Sequence, residues 1–403
     1  MISVEEALRR IQQHATPRPP RSLRARDSLG WVLAADVKSD IDSPPHDKAL
    51  MDGYAVLASD IVPGVELSII EEVTAGDVPA KAVTTGHATR IMTGAPIPAG
   101  ADAVVVVERT ELIEGDEATV RINADDAKPA QNIMPRGESV RCGDVVLRVG
   151  RIVRPIEMGV LAECGATEIS AYPRPSVAIL STGNELVSPE ARPSAGQIRN
   201  SNGPMLGALV LQTGGTAVDL GVGRDERDDL ERLVRRGLEE DVLVLSGGVS
   251  AGVLDLVPEV LAANGVEQVF HKVHLKPGKP VWFGIKRDAR GDRLVFGLPG
   301  NPVSSLVCFE LFVRPALLGL AGQPFGGIER RTARLATQHA RYSDRPTYFP
   351  ARLFERDGQL QVEPLAWKGS ADLRTLADAN CLALFPPSDS VFAEGDAIEV
   401  YLL

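Results

Sequence analysis

From Ser176 onward, apolar runs of strand length alternate with stretches of helical periodicity. That alternation restricts the possible folds more than any other feature of the chain. SVAILS, TAVDLGV, DVLVLS and RLVFGL read as strands. Asn202-Gly203-Pro204 opens a helix through LGALVLQTGG, and ERDDLERLVRRGLEE is a helix with charges on its outer face. VPEVLAANG is a helix ending on Asn-Gly, and Asn301-Pro302 starts a long apolar helix with Asn301 as N-cap. The pattern predicts a doubly wound α/β domain with mainly parallel strands and room for one antiparallel edge.

The flanks follow other rules. Ser3-Val4-Glu5-Glu6 reads as a capping box ahead of a helical face of Val4, Ala7, Leu8 and Ile11. HATPRPPRS is a linker. Short Val/Ile runs broken by Gly, Pro and Asp make residues 30–175 β-rich, with one helix near 156–165. Beyond about residue 323, past the Pro/Gly stretch AGQPFGG, the chain is β again. There Asp357-Gly358 between two alternating runs predicts a hairpin, and a small barrel or sandwich is expected. A chain of 403 residues is too long for one ordinary core. Its net charge of -11 and lack of a basic run argue against nucleic acid and anionic membranes. No signal peptide and no membrane-spanning apolar stretch are expected. The spacing of Cys142, Cys164, Cys308 and Cys381 fits no zinc or disulfide framework. A soluble protein of the cytoplasm follows.

In open α/β sheets, ligands bind beyond the carboxyl ends of the strands. SVAILS is followed by Thr182, Gly183 and Glu185, and TAVDLGV by Asp225. DVLVLS ends on Ser246, followed by Gly247, Gly248, Ser250 and Asp255. RLVFGL is followed by Pro299, Gly300, Asn301 and Pro302, and HKVHLKPGKP contributes Lys272, Lys276 and Lys279. Glycine loops offer backbone N–H groups to phosphate, and the lysines add positive charge. Glu185, Asp225 and Asp255 are placed to share a hard cation, Mg²⁺. Any one of these carboxylates alone reads equally as a cap or a solvated charge; their convergence points to a phosphorylated or adenylylated ligand. In KALMDGYAVL, Asp52 sits amid apolar residues, so it either caps a turn or faces a site. In IMTGAPIP, Thr93 and Gly94 precede two prolines and read equally as a turn.

MDGYAV, IMTGAPIP, GADAVV, STGNEL, LSGGVSAG, KPGKP and GLPGNPVS occur here in the order seen in the MoeA family, and the chain resembles that family along essentially its whole length. The resemblance implies insertion of molybdate into adenylylated molybdopterin, with Mg²⁺ and release of AMP. It implies a homodimer of four-domain subunits. Residues 1–22 and 175–322 would form the α/β molybdopterin-binding domain, and 23–41 with 141–174 an elongated linking domain. Residues 42–140 would form a β-rich domain facing the partner subunit's site, and 323–403 a C-terminal β-barrel. The catalytic group would be Asp52, Thr93, Glu185, Asp225 and Asp255, the last three as metal ligands. Lys272, Lys276 and Lys279 would hold phosphates or molybdate, Pro299 and Pro302 would shape their loop, and Ser370 and Arg374 would lie near the ligand. The preceding adenylyltransferase is an implied partner. A non-catalytic scaffold on the same fold and a tungstate-specific paralogue are the alternatives. The chain departs from the family at Ala49, Leu50, Met134, Ser139 and Asn184.

Overall fold

The structure, a computed structural model, describes residues 1–113, 118–248, 256–289, 291–340, 343–389 and 391–403. Ser250 and Asp255 therefore lie outside the described residues. The chain divides into two compact units, one of Met1–Ser22, Gly30–Ala34 and Ser170–Leu403, the other of Leu23–Leu29 and Ala35–Ile169.

The first unit is built on a six-stranded sheet. Its strands are β1 (Ser176–Thr182), β2 (Thr216–Gly223), β3 (Val242–Ser246), β4 (Glu267–His271), β5 (Trp282–Lys286) and β6 (Arg293–Leu298), in the order β2-β1-β3-β6-β5-β4. The pairings from β2 to β6 are parallel, whereas β5 pairs antiparallel with both β6 and β4. The antiparallel edge allowed for is thus made by two strands, β5 and β4, of which β5 alone runs against the other five. They come from VWFGIK and EQVFH, β-branched and aromatic runs that the lysine-rich turn between them obscures.

The period of two along the central strands shows why the sheet is buried on both faces. Val177, Ile179, Val242 and Val244 join one core; Ala178, Leu180, Leu243 and Leu245 join the other. Such strands read as continuous apolar runs because both faces are covered. Helix α1 (Val4–Gln12) packs Val4, Ala7 and Ile11 into the first core. Helices α2 (Asn202–Gln212), α3 (Arg227–Gly237) and α4 (Val257–Ala263) complete the layers. The capping box at α1 is half formed. Ser3 Oγ accepts from Glu6 N at 3.2 Å, but the Glu6 carboxylate turns to Arg9 and Arg10 instead of back to Ser3.

The apolar helix predicted after Asn301 runs as α5 (Pro302–Cys308), a π-turn (Phe309–Val313) and α6 (Arg314–Leu320). Pro302–Leu320 is long and apolar enough to cross a membrane, which corrects the expectation that no such stretch exists. It is 89% buried within the unit, as a core helix is. The C-terminal part closes into a barrel of β7 (Arg330–Leu335), β8 (Thr347–Arg356), β9 (Gln359–Pro364), β10 (Cys381–Phe385) and β11 (Ala397–Leu402). Asp357 and Gly358 have φ of 52° and 72°, the left-handed pair that a tight hairpin between β8 and β9 requires.

The second unit holds another six-stranded sheet, in the order Ala103–Val106, Gly53–Val56, His87–Ile91, Val65–Val73, Thr119–Ile122, Thr110–Ile113. Its core is Tyr54, Val56, Leu67, Val105, Val120 and Ile122 with smaller neighbours. The helix expected near 156–165 spans Pro155–Glu163.

Candidate active site

The ends of β1, β3 and β6 meet in the first unit, and the space between them explains the glycines. Gly247 has φ +95°, and a Cβ there would lie 2.5 Å from Thr182 O. Gly183 has φ +147°, and its Cβ would lie 2.5 Å from Glu185 Oε2. Gly247 N donates to Leu298 O at 3.1 Å and Gly183 N to Gly223 O at 3.2 Å, so the loops leave the sheet fastened to neighbouring strands. A larger residue would be strained by conformation at both places and would also meet backbone at Gly247, whereas at Gly183 the Glu185 carboxylate could move aside.

A buried polar network locks these loops. Ser181 Oγ and Gly203 N both donate to Asn200 Oδ1 at 3.0 Å. Asn202 Nδ2 donates to Ser246 Oγ and to Gly300 O, each at 2.7 Å. Ser246 Oγ lies 3.4 Å from Ser305 Oγ, which itself donates to Pro299 O. Hydroxyl and amide side chains thus tie β1, β3, α2 and the loop after β6 together.

Above them is a cavity of about 730 Å³ lined by Thr182, Glu185, Asn202, Asp225, Gly247 and Asn301, among others. Glu185 and Asp225 are both exposed. Asp225 N donates to Asn184 Oδ1 at 3.2 Å, so the two carboxylate loops are joined through Asn184. Among the described residues, no group of three or more His, Cys, Asp or Glu is arranged to hold a metal. Two exposed carboxylates fit a cation that keeps most of its ligands as water and phosphate oxygens, as Mg²⁺ does.

A second cavity of about 540 Å³ shares Pro280, Pro299 and Asn301 with the first. Lys276, Lys279, Arg345, Lys368, Ser304 and Ser370 line it. The barrel reaches the lysine loop through backbone bonds. Lys276 N donates to Pro346 O and Tyr348 N to Lys276 O, each at 2.8 Å. Asn301 stands at the N-cap position of α5 but its side chain caps nothing; Nδ2 donates instead to Ser370 Oγ at 2.9 Å. The lining of neither cavity includes Lys272 or Arg374. Lys272 has φ 69° and donates its N–H to Val281 O, and Arg374 is exposed on the short helix Leu373–Ala377. Arg345, Lys368, Asn200 and Asn202 were missed in the sequence. Only barrel closure brings Arg345 and Lys368 to the lysine loop, and isolated cations carry no periodic signal. The two asparagines sit in RNSNG, which reads as an ordinary helix start.

In the second unit, Asp52 is exposed rather than buried. Thr93 Oγ1 and Thr93 N both donate to Asp52 Oδ1 at 2.6 Å. The Thr93 hydroxyl, then its amide, hold the Asp52 carboxyl below the usual carboxylate range. Gly53 follows because a Cβ would lie 2.0 Å from Val105 O on the next strand. Leu50 and Met51 beside it are 46% and 44% exposed. Met134 pairs in register with Lys48, and the nearby Arg136 is engaged by Asp42 and Asp47.

Three family models match the chain in sequence. They are the MoeA N-terminal region (domain I and II) at residues 2–165, the probable molybdopterin binding domain at 178–319, and the MoeA C-terminal region (domain IV) at 332–403. A molybdopterin molybdenumtransferase of Staphylococcus aureus N315 is 34% identical over all of this chain and 95% of its own. One of Staphylococcus epidermidis is 33% identical with the same coverage. The crystal structure of a molybdopterin biosynthesis MoeA protein from Pyrococcus horikosii superposes with TM-score 0.84 at 32% identity, covering 100% of this chain and 99% of that one. Matched by these models over most of its length and aligned with these relatives from end to end, the chain belongs to the MoeA family.

Proposed function

We propose that the protein is a Mg²⁺-dependent molybdopterin molybdotransferase of molybdenum cofactor biosynthesis. It takes adenylylated molybdopterin and molybdate and releases AMP. The observation that carries this reading is the pairing of two adjoining cavities, one with carboxylates beside Arg199 and one rich in cations. One holds Glu185, Asp225 and the glycine loops; the other holds Lys276, Lys279, Arg345 and Lys368. The names of the relatives support it.

The chemistry divides accordingly. Molybdate is an oxyanion and is served by ammonium, guanidinium and hydroxyl donors, not by carboxylates. Glu185 and Asp225, with Asp255, would hold Mg²⁺, which when bound neutralises the pyrophosphate and favours departure of AMP. The backbone N–H of Gly248 would face the phosphates, since that of Gly247 is committed to Leu298 O. Water attacks the pyrophosphate bond, which breaks to release AMP and leaves the pterin phosphate. The two dithiolene thiols give up their protons to molybdate oxygens, which depart as water as the sulfurs bind molybdenum. No protein thiol is needed, and the four cysteines are free, with only Cys142 exposed.

The subunit has four domains: residues 1–22 with 175–322, 23–41 with 141–174, 42–140, and 323–403. The protein works in the cytoplasm as a homodimer, with Asp52 and Thr93 serving the partner subunit's site, and receives its substrate from an adenylyltransferase. The test is reconstitution. Purified protein, adenylylated molybdopterin, molybdate and Mg²⁺ should activate an apo-molybdoenzyme; omission of molybdate or Mg²⁺ should leave it inactive. Activation without this protein would overturn the reading.

A further inference from the structure

Two buried polar atoms beside the first cavity stand out among the described residues. Asn202 Oδ1 and Thr182 Oγ1 are shielded from solvent and have no hydrogen-bond partner. Both side chains line that cavity, and the residues are only 8% and 4% exposed. A buried acceptor without a partner is costly, and folded proteins rarely keep one without a use. Here both occur at one site. The Asn202 amide is also fixed in orientation. Its nitrogen is committed to Ser246 Oγ and Gly300 O, and Gly300 O can only accept, so Oδ1 must be the atom left over.

We propose that Asn202 and Thr182 are the specificity pair of this site, reading the N–H-bearing edge of a fused nitrogen heterocycle. Asn202 Oδ1 accepts an N–H from the ring edge, and the Thr182 hydroxyl bonds the adjacent ring position as donor or acceptor. A modest inward shift of either side chain on binding brings these atoms to the ligand. The inference rests on the molybdotransferase reading, whose ligand offers two such edges: the amino-pyrimidinone of the pterin and the amino edge of adenine. A carbonyl-only edge would leave Asn202 Oδ1 facing another acceptor. The rigid network behind Asn202 is what makes the reading selective, because the amide cannot flip to accommodate it.

The test uses the full-length protein and three probes in calorimetric titrations: molybdopterin, AMP and inorganic pyrophosphate. The variants are Asn202→Ala and Thr182→Val. Thr182→Val removes an unbonded buried hydroxyl at nearly constant shape, so its unfolding temperature should stay equal to wild type or rise. Each variant should bind molybdopterin or AMP about tenfold more weakly. Pyrophosphate, which has no N–H, should bind as to wild type. Weakening confined to molybdopterin assigns the pair to the pterin, and weakening confined to AMP assigns it to adenine. Equal weakening of all three probes would mean a structural role and would overturn the proposal. So would unchanged binding by Thr182→Val, even if Asn202→Ala failed to fold. Wild-type protein that bound no heterocycle at all would instead overturn the reading of the whole site.

Discussion

The cavity at the strand ends and the Asp52–Thr93 pair hold functional groups in opposite ways. In the first unit the loops are fixed by the sheet, by glycines with no room for a Cβ, and by a buried network from Asn202 through Ser246 to Ser305. In the second, one exposed carboxylate is held by a single threonine, beside the exposed Leu50 and Met51. The first arrangement fixes the loop backbone around a large cavity; the second presents one charge on an open surface. A rigid cavity floor and a lightly held exposed charge have different failure modes, and substitutions should separate them.

The largest effect is expected at the floor's carboxylates. Glu185→Gln combined with Asp225→Asn should slow Mg²⁺-dependent AMP release about a thousandfold. Rate against Mg²⁺ concentration checks this, and a wild-type Mg²⁺ response would remove these residues from the metal site. Asp52→Ala should come next, with turnover down about a hundredfold and pterin affinity, measured by titration, near wild type. Loss of binding with the fold intact would erase the distinction between the two regions.

Stability sharpens the same contrast. Gly247→Ala must adopt φ +95° against Thr182 O and should cost about 1–3 kcal/mol in denaturant unfolding. Leu50→Ala, on the open surface, should stay within about 0.5 kcal/mol of wild type. The smallest effect is a pH shift. Thr93 lowers the Asp52 pKa, so Asp52 stays ionised, and its bonds to Thr93 persist, until pH falls below the ordinary carboxylate range. Thr93→Val removes the larger cause, and the acid limb of the AMP-release profile should move to higher pH. An unmoved limb would mean that another group sets it.

The sequence was most legible where periodicity and strand ends coincide. Central strands such as SVAILS and DVLVLS declare themselves because both faces are buried, and their ends locate Thr182, Gly183, Ser246 and Gly247 at one cavity. Asp52 could be singled out as an oddity but not placed. Its apolar neighbours suggested burial, yet Leu50 and Met51 face solvent. Arg345 and Lys368 reach the lysine pocket only through barrel closure, a long-range event that no local pattern records. Asn301 matched the rule for a helix cap, but its side chain bonds to Ser370, because tertiary contact outcompeted the local bond. Local chemistry thus announces elements and turns, whereas the partners of individual polar side chains depend on how distant segments meet.

The most direct measurement is AMP release from adenylylated molybdopterin in the presence of Mg²⁺, with and without molybdate. Molybdate-dependent release, lost in the Glu185→Gln and Asp225→Asn variant, is the expected result. Tight binding of the adenylylated pterin with no AMP release under either condition would contradict it, and would leave the two cavities as a binding surface without turnover.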